Sequence, residues 1–414
     1  MDQTKLTELS AWITETGLAG QPETGMMGEF CARAAAAGLP IADGIVVVDT
    51  LHPLYEGHAI RWRRDGEERV VRIEYGRTNE GPAAESYRRS PYYHLLQSGE
   101  PMLRRRLTLE GDSEFELLAT ARRGGMTDYV AFLARFAAEG VIGDMDCIYS
   151  SWCTDRPEGF AEADVAALGR LFPYLAIAMK CAALGRVARA LAETYLGRDA
   201  GRLVLGGRIA RGVAEKIDAV LWFSDLSGYT KITDTAAPDQ IIPMLNDYAE
   251  AIVSAVQAEG GDVLKLIGDG VLAIFRADAR PRACLSAIEA AAAARQAIVE
   301  LNQRRDADSL PTTHMYLGLH VGKVFFGNIG SKDRLDFTVV GPAVNEVSRI
   351  AAMCRSVDQP LLVSAGFAAA LGEAGPQLVS VGRYALRGVG LPQELFTLDP
   401  GREPDRLKPA RLET

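Results

Sequence analysis

The stretch GGDVLKLIGDGVLAIF, residues 260–275, constrains the fold more than any other part of the chain. Two short apolar runs, 263–267 and 271–275, flank Gly268-Asp269-Gly270, and Asp-Gly between such runs predicts a tight β-hairpin. The turn holds the Asp269 carboxylate at a fixed point. Lys265 stands inside an otherwise hydrophobic strand, where a charge is costly unless it has a partner or a ligand. Core packing explains neither residue.

A chain of 414 residues exceeds one ordinary core and predicts two or three domains. Hydrophobic residues at 48% and charged residues at 24% give the balance of a soluble globular protein. A net charge of -9 argues against nucleic-acid and anionic-membrane partners, a local basic patch aside. The opening MDQTKLTEL carries acidic residues and no apolar run, so no targeting signal is expected. Apolar stretches such as 171–179 fall short of the roughly 20 residues of a membrane helix. These features predict a cytoplasmic protein without a membrane or nucleic-acid partner. Six scattered cysteines, with no CxxC and no His/Cys cluster of zinc spacing, read as reduced, buried thiols.

In the N-terminal part the pattern is helical from 4 to about 39, then a buried strand at 44–49 and a hairpin at 58–63 and 68–75. Residues 88–107 read as loop-rich, with Arg104, Arg105 and Arg106 as a solvated charged triplet. Strands at 128–134 and 146–152 lead into a long helix from about 161. Strands with flanking helices ending in CTDRPEGFAEADVAALGRLFPYLAIAM resemble the last strand and C-terminal helix of a GAF-type sensory domain. That resemblance implies an α+β sensory domain over 1–182, with a small-molecule effector or with no ligand at all. From 183 to 214 a helical linker is expected. Leu184, Val187, Leu191 and Thr194 follow the 3/4 spacing of a helix pairing with its twin, and a simple spacer is the plainer alternative. Pro173 limits any longer continuous helix, and the glycines and arginines of 194–212 break it.

Residues 215–400 change to strand, helix, hairpin, helix, strand, strand, helix, strand, leaving 401–414 as a tail. An apolar strand at 219–223 ends in FSDLSGYT, so Asp225 is followed by a small-residue turn, Ser227-Gly228-Tyr229, that opens a helix. Free backbone N–H groups at such a turn form a phosphate cradle, and Asp225 at its mouth calls for a bridging cation, which suggests Mg²⁺. Asp269 supplies the second carboxylate that a two-metal site needs, and adjacent antiparallel strands would bring the two together.

FSDLSGYT, KLIGDGVLAIF, GLHVGKVFFGNIG and LDFTVVGPAVNEVSR resemble, in order and spacing, the successive motifs of class III nucleotidyl cyclases over about 45% of the chain. The resemblance implies a ferredoxin-like βαββαβ catalytic domain working as a head-to-tail homodimer with shared sites. It implies that Asp225 and Asp269 ligate two Mg²⁺ or Mn²⁺ ions, that Asn345 orients the ribose, and that Arg349 neutralises charge at the α-phosphate. Asn345 and Arg349 stand at i and i+4 of one helix and would come from the partner chain. Lys265 takes the position of the family's base-reading lysine, and Thr338 takes the second specificity position. A lysine donates to adenine N1 and cannot accept from guanine, so the pair favours ATP. Ala385-Leu386-Arg387-Gly388-Val389 matches the family's last strand, with Arg387 as a ligand of the terminal phosphates. His314 and His320 read as structural. The resemblance thus predicts an adenylate cyclase, with a guanylyl or pyrimidine nucleotide cyclase, or a silent nucleotide-binding module, as alternatives. Gly260-Gly261-Asp262 resembles diguanylate cyclases, but Val263-Leu264 follows where those enzymes want Glu-Phe.

Overall fold

The computed structural model describes residues 1–399 except 53, 80, 108–113, 137–141 and 144, so the expected tail at 401–414 lies outside the described residues. The chain divides into two units, Met1–Leu191 and Ala192–Thr414.

The first unit contains α1 (Gln3–Leu18), α2 (Glu23–Ala36), β1 (Asp43–Asp49), β2 (Gly57–Arg63), β3 (Val70–Tyr75), α3 (Gly81–Arg88), α4 (Pro91–Ser98), β4 (Met102–Arg106), α5 (Glu116–Arg123), β5 (Asp128–Arg135) and β6 (Cys147–Thr154), and most of α6 (Glu162–Leu196). Its six strands form one antiparallel sheet in the order β3-β2-β1-β6-β5-β4. Side chains alternate between the two faces. On one face Val46, Val48, Ile60 and Trp152 pack with Met26, Phe30, Leu171 and Leu175 from the helices. On the other, Tyr129, Ala131 and Tyr149 meet Leu95 and Leu118.

Two expectations for this unit change, and one is refined. The helical pattern over 4–39 is two helices, parted at Gly20 (φ 68°) and Pro22. Residues 88–107 are ordered rather than loop-rich, because the Ser90 hydroxyl caps the Tyr93 N–H at 3.2 Å, Pro91 suits the first turn of α4, and β4 follows. The arginine triplet lies on β4. Arg104 grips Asp128 at 2.8 Å, and that carboxylate is fully buried and also accepts the Phe160 N–H at 3.0 Å. A buried carboxylate is stable only with such a partner, so Arg104 serves the core instead of the solvent.

The limit expected at Pro173 is also overturned, since α6 runs through it. The proline is exposed, so the carbonyl it leaves unpaired four residues back can be hydrated. Val187 is 2% exposed, and Leu184 and Leu191 pack in part on the same core, so this core already uses much of the 3/4 stripe, while Thr194 is exposed. Among the described residues α6 passes as a membrane-spanning helix by length and composition alone, with half of its most apolar stretch buried in protein.

The second unit continues with α7 (Arg198–Leu205), β7 (Ala214–Leu226), α8 (Tyr229–Thr235), α9 (Pro238–Ala258), β8 (Asp262–Ile267), β9 (Gly270–Arg276), α10 (Arg280–Ala307), β10 (Met315–Gly330), β11 (Leu335–Val340), α11 (Pro342–Ser356), β12 (Leu361–Ser364), α12 (Ala365–Leu371), β13 (Leu378–Tyr384) and β14 (Gln393–Leu398). The run β7-α9-β8-β9-α10-β10 is a βαββαβ unit whose strands lie in the order β10-β7-β9-β8, the ferredoxin-like arrangement. Strands β12, β14 and β13 extend the sheet beyond β10, and β11 folds back on β10. Trp222, Phe275 and Leu319 face α9 and α10, where Tyr248, Ile252 and Ile288 complete the larger core. On the opposite face α11 crosses β10 at Gly318, where a β-carbon would come within 2.6 Å of the Ala351 nitrogen. Glycine there brings α11 close to the sheet.

The linker expected over 183–214 is not a separate body. Its first part belongs to the first unit, while Leu196, Ala200, Leu203 and Val204 pack against the core of the second. Arg198 donates to the Gln257 and Gly261 carbonyls at 3.2 and 3.3 Å, so α7 is anchored at the start of β8. Residues 385–389 form a turn between β13 and β14, not the expected strand, because Gly388 adopts φ 77° and the Val389 N–H closes on the Leu386 carbonyl.

Asp128→Ala removes the buried acceptor shared by Arg104 and the Phe160 N–H and leaves that N–H unpaired, while Arg104 keeps Glu162 and the Phe160 carbonyl. The expected loss is about 1–3 kcal/mol, read as a lower urea midpoint for the intact chain. An unchanged midpoint contradicts the role given to this pair.

Candidate active site

The hairpin forms as its sequence requires, with Gly268 at φ 62° in the turn between β8 and β9. Strand β9 pairs antiparallel with β7 up to Ser224↔Val271, so Asp225 at the end of β7 and Asp269 in the turn meet. The Leu226 N–H donates to both carboxylates, to Asp225 Oδ1 at 3.0 Å and to Asp269 Oδ2 at 3.2 Å. Burial, then the hydrogen bond and charge of Asp269, push the Asp225 carboxyl up to about 6, against the Leu226 N–H and the Arg355 charge, which favour ionisation. Two carboxylates held this close, with one shared N–H, form an oxygen donor set that suits a hard divalent cation. The donor chemistry therefore fits Mg²⁺ or Mn²⁺, with Asp225 and Asp269 as the residues that would hold it.

Lys265 finds its partner on β11, in an ion pair with Asp336. A bulge at Leu264, between the pairs Val263↔Ala273 and Lys265↔Leu272, shifts the register that presents the lysine. Asp336 and Thr338 are two residues apart on β11 and share one face of it, so Lys265, Asp336 and Thr338 form one polar patch. Sequence reasoning missed Asp336. Its signal was the alternation D-x-T in β11 on the same side as Thr338.

Of the three turn residues expected to cradle phosphate, Ser227 is partly committed. Its N–H donates to the His314 carbonyl at 2.8 Å, and its own carbonyl accepts from the Thr313 hydroxyl at 2.6 Å. The cradle thus narrows to the amides from Gly228 onward, and Gly228, at φ 68°, starts α8. A left-handed residue at this point favours glycine.

On α11, Asn345 is exposed and Arg349 is half-buried one turn further on. Arg349 Nε and Nη1 are buried without a hydrogen-bond partner. Unpaired buried guanidinium groups are costly, which marks Arg349 as a group waiting for an anion. A β-carbon at Gly388 would lie 3.3 Å from Arg349 Nη1, so the 385–389 turn stands directly beside it and brings exposed Arg387 into the same neighbourhood. Among the described residues no hydrogen bond or ion pair links Asn345 or Arg349 to Asp225 or Asp269 of the same chain. His320, pushed down to about 4 by burial, is hydrogen-bonded to Ser364 at 2.8 Å, away from these groups.

Fold and donor set together define an α+β catalytic domain built on paired carboxylates at the ends of neighbouring strands. Residues 213–399 match the family model described as "Adenylate and Guanylate cyclase catalytic domain", and this segment belongs to that family. The chain is 32% identical over 157 residues to an adenylate cyclase of Anabaena cylindrica, a match covering 37% of this chain and 30% of that protein. It is 29% identical over 160 residues to adenylate cyclase 1 of Rhizobium meliloti, covering 38% of this chain and 24% of that protein. The chain thus spans less than a third of the length of these two relatives. The crystal structure of the adenylyl cyclase CyaB from P. aeruginosa aligns with 45% of this chain and 96% of its own, at 21% identity and a TM-score of 0.43.

The raised Asp225 carboxyl predicts a pH effect in metal-free protein. Its folded value of about 6 lies above its ordinary 3.8, so the pair costs no stability below about pH 4 and its full penalty above about pH 6. In EDTA, the gain in Tm from Asp225→Asn therefore grows between those limits and levels off above them. At pH 7.5 Mn²⁺ raises the Tm of the wild type and not of Asp225→Asn. A gain in Tm that shrinks as pH rises contradicts the assignment.

Proposed function

We propose that the protein is an adenylate cyclase that converts ATP to 3′,5′-cyclic AMP and pyrophosphate at sites shared by two copies of the chain. The observation that carries this reading is the apposed pair Asp225 and Asp269, joined through the Leu226 N–H at the ends of neighbouring strands. In the reaction the ribose 3′-oxygen bonds to the α-phosphorus, the bond from that phosphorus to the β-phosphate oxygen breaks, and the 3′-hydroxyl loses its proton. Two divalent ions, when held by Asp225 and Asp269, would acidify the 3′-hydroxyl and offset the charge of the triphosphate and leaving group.

The protein's own groups complete the site. Asn345 holds the ribose so that its 3′-oxygen faces the phosphorus. Arg349, whose inner nitrogens lack any partner, meets the charge that builds on the α-phosphate. Arg387, beside it on the 385–389 turn, takes the terminal phosphates, and the amides of Gly228 and Tyr229 take the phosphate nearest the carboxylates. Among the described residues no hydrogen bond or ion pair joins Asn345 or Arg349 to the carboxylate pair, which supports a homodimer in which each site draws on both chains. For the base, Lys265 donates to adenine N1 and the Thr338 hydroxyl accepts from the 6-amino group, while Asp336 holds the lysine in place. Dependence on ATP also supports a cytoplasmic location.

With Mn²⁺ and each of the four nucleoside triphosphates, purified protein is expected to make cyclic AMP as its main product. A different cyclic nucleotide as the main product overturns the choice of base, and no cyclic product from any of them overturns the reading as an active enzyme. Arg349→Ala is expected to lower kcat by roughly a hundredfold or more. Asp225→Ala is expected to abolish turnover, and mixing the two inactive variants restores part of the activity through one intact heterodimeric site. No recovery in the mixture, with dimers present, contradicts the shared site.

A further inference from the structure

In the first unit, β1 is the third of six strands, yet only one of its faces is fully covered. Val46 and Val48 are buried, whereas Ile45, Val47 and Asp49 on the other face are only partly covered. Helices α3, α4 and α5 stand over that face and leave two adjoining chambers of about 560 and 300 Å³, both lined by Ser86, Ser90 and Leu117. A close-packed interior does not leave such space above a central strand without a use.

The smaller chamber has a distinctive wall. Tyr75, Tyr87, Tyr92 and Tyr149 line it together with the carboxylates Asp49 and Glu56. No lysine, arginine or histidine is among the described residues lining it. Glu56 accepts from the N–H of Thr78 at 2.6 Å and from its hydroxyl, and Asp49 accepts from the Tyr75 hydroxyl. Tyr87 and Tyr149 share a hydrogen bond of 2.9 Å, and Tyr92 bonds Ser151 at 2.8 Å, so the ring walls are held in place. Burial pushes Tyr87 and Tyr92 up to about 12, and burial with the charges of Asp49 and Glu56 pushes Tyr75 up, so all three stay neutral. In the larger chamber Arg61 is already paired with buried Asp43, Arg89 stands with the carboxylates Glu85 and Glu116, and the Tyr129 hydroxyl is fully buried with no hydrogen-bond partner.

Aromatic rings beside carboxylates, with no lysine, arginine or histidine among the described residues of the lining, attract a positive charge and repel a phosphate. We propose that the smaller chamber binds a small organic cation, an amine or quaternary ammonium, between the Asp49 and Glu56 carboxylates and the tyrosines, with the larger chamber and the Tyr129 hydroxyl taking the rest of the molecule. The first unit is then a receptor for a small cationic metabolite.

Isothermal titration of the full chain with tyramine and with choline tests this, with phenethyl alcohol as the neutral counterpart of tyramine. Saturable binding of at least one cation is expected, weakened about tenfold or more by Glu56→Gln. Ala59→Met, which puts bulk into the chamber without removing a hydrogen bond, is expected to reduce it as well, and both variants should keep the wild-type melting curve. The proposal is overturned if neither cation binds, if phenethyl alcohol binds as tightly as tyramine, or if both folded variants bind like the wild type. The readout is binding and not turnover, so it is independent of the cyclase reading.

Discussion

Asp225 and Asp269 are held together against their own repulsion, and much of the second unit exists to hold them there. The antiparallel ladder of β7 and β9 brings the two strand ends level, and the Leu226 N–H is shared between the carboxylates. The strain is visible in the Asp225 carboxyl, raised to about 6 by burial and by its neighbour. A fold keeps such a pair only where a cation relieves it or where the surrounding core outweighs its cost. Here both conditions have material support: an oxygen donor set suited to a divalent ion, and the large core of Trp222, Tyr248 and Phe275 behind the strands.

The opposite imbalance sits on α11. Arg349 keeps two inner nitrogens unpaired, a surplus of positive charge with no partner in its own chain among the described residues. A half-buried carboxylate pair and a guanidinium with two unpartnered nitrogens are complementary charges, and the proposed function joins them in one phosphate site. The close approach of α11 to β10 at Gly318 fixes where that arginine emerges.

Much of this was legible in the sequence, for physical reasons. A two-residue period with Asp-Gly between apolar runs leaves few options, so the hairpin, the carboxylate at its tip and the meeting with Asp225 could be read directly. Five of the six strands of the first unit were legible for the same reason, while the arginine-rich β4 was not. The errors came where tertiary contact overrides a local signal. Arg104 looked like a surface residue because nothing near it in sequence announces buried Asp128, 24 positions away. The stripe Leu184, Val187 and Leu191 has the spacing of a paired helix, but an apolar stripe does not say which surface will cover it, and the first unit's own core takes Val187 and part of the two leucines. Pro173 looked like a stop because the sequence does not show that its face of the helix meets water.

The sequence alone determined the hairpin, the strands and helices of the βαββαβ run and the identity of its acidic and basic groups, since period, turn chemistry and charge are local properties. Only the tertiary structure decided the partners: Asp336 for Lys265, Asp128 for Arg104, the 385–389 turn for Arg349, and the open tyrosine-lined space above β1. Partnership depends on which distant surfaces the packing brings together and which it leaves apart, and that is a property of the folded chain as a whole.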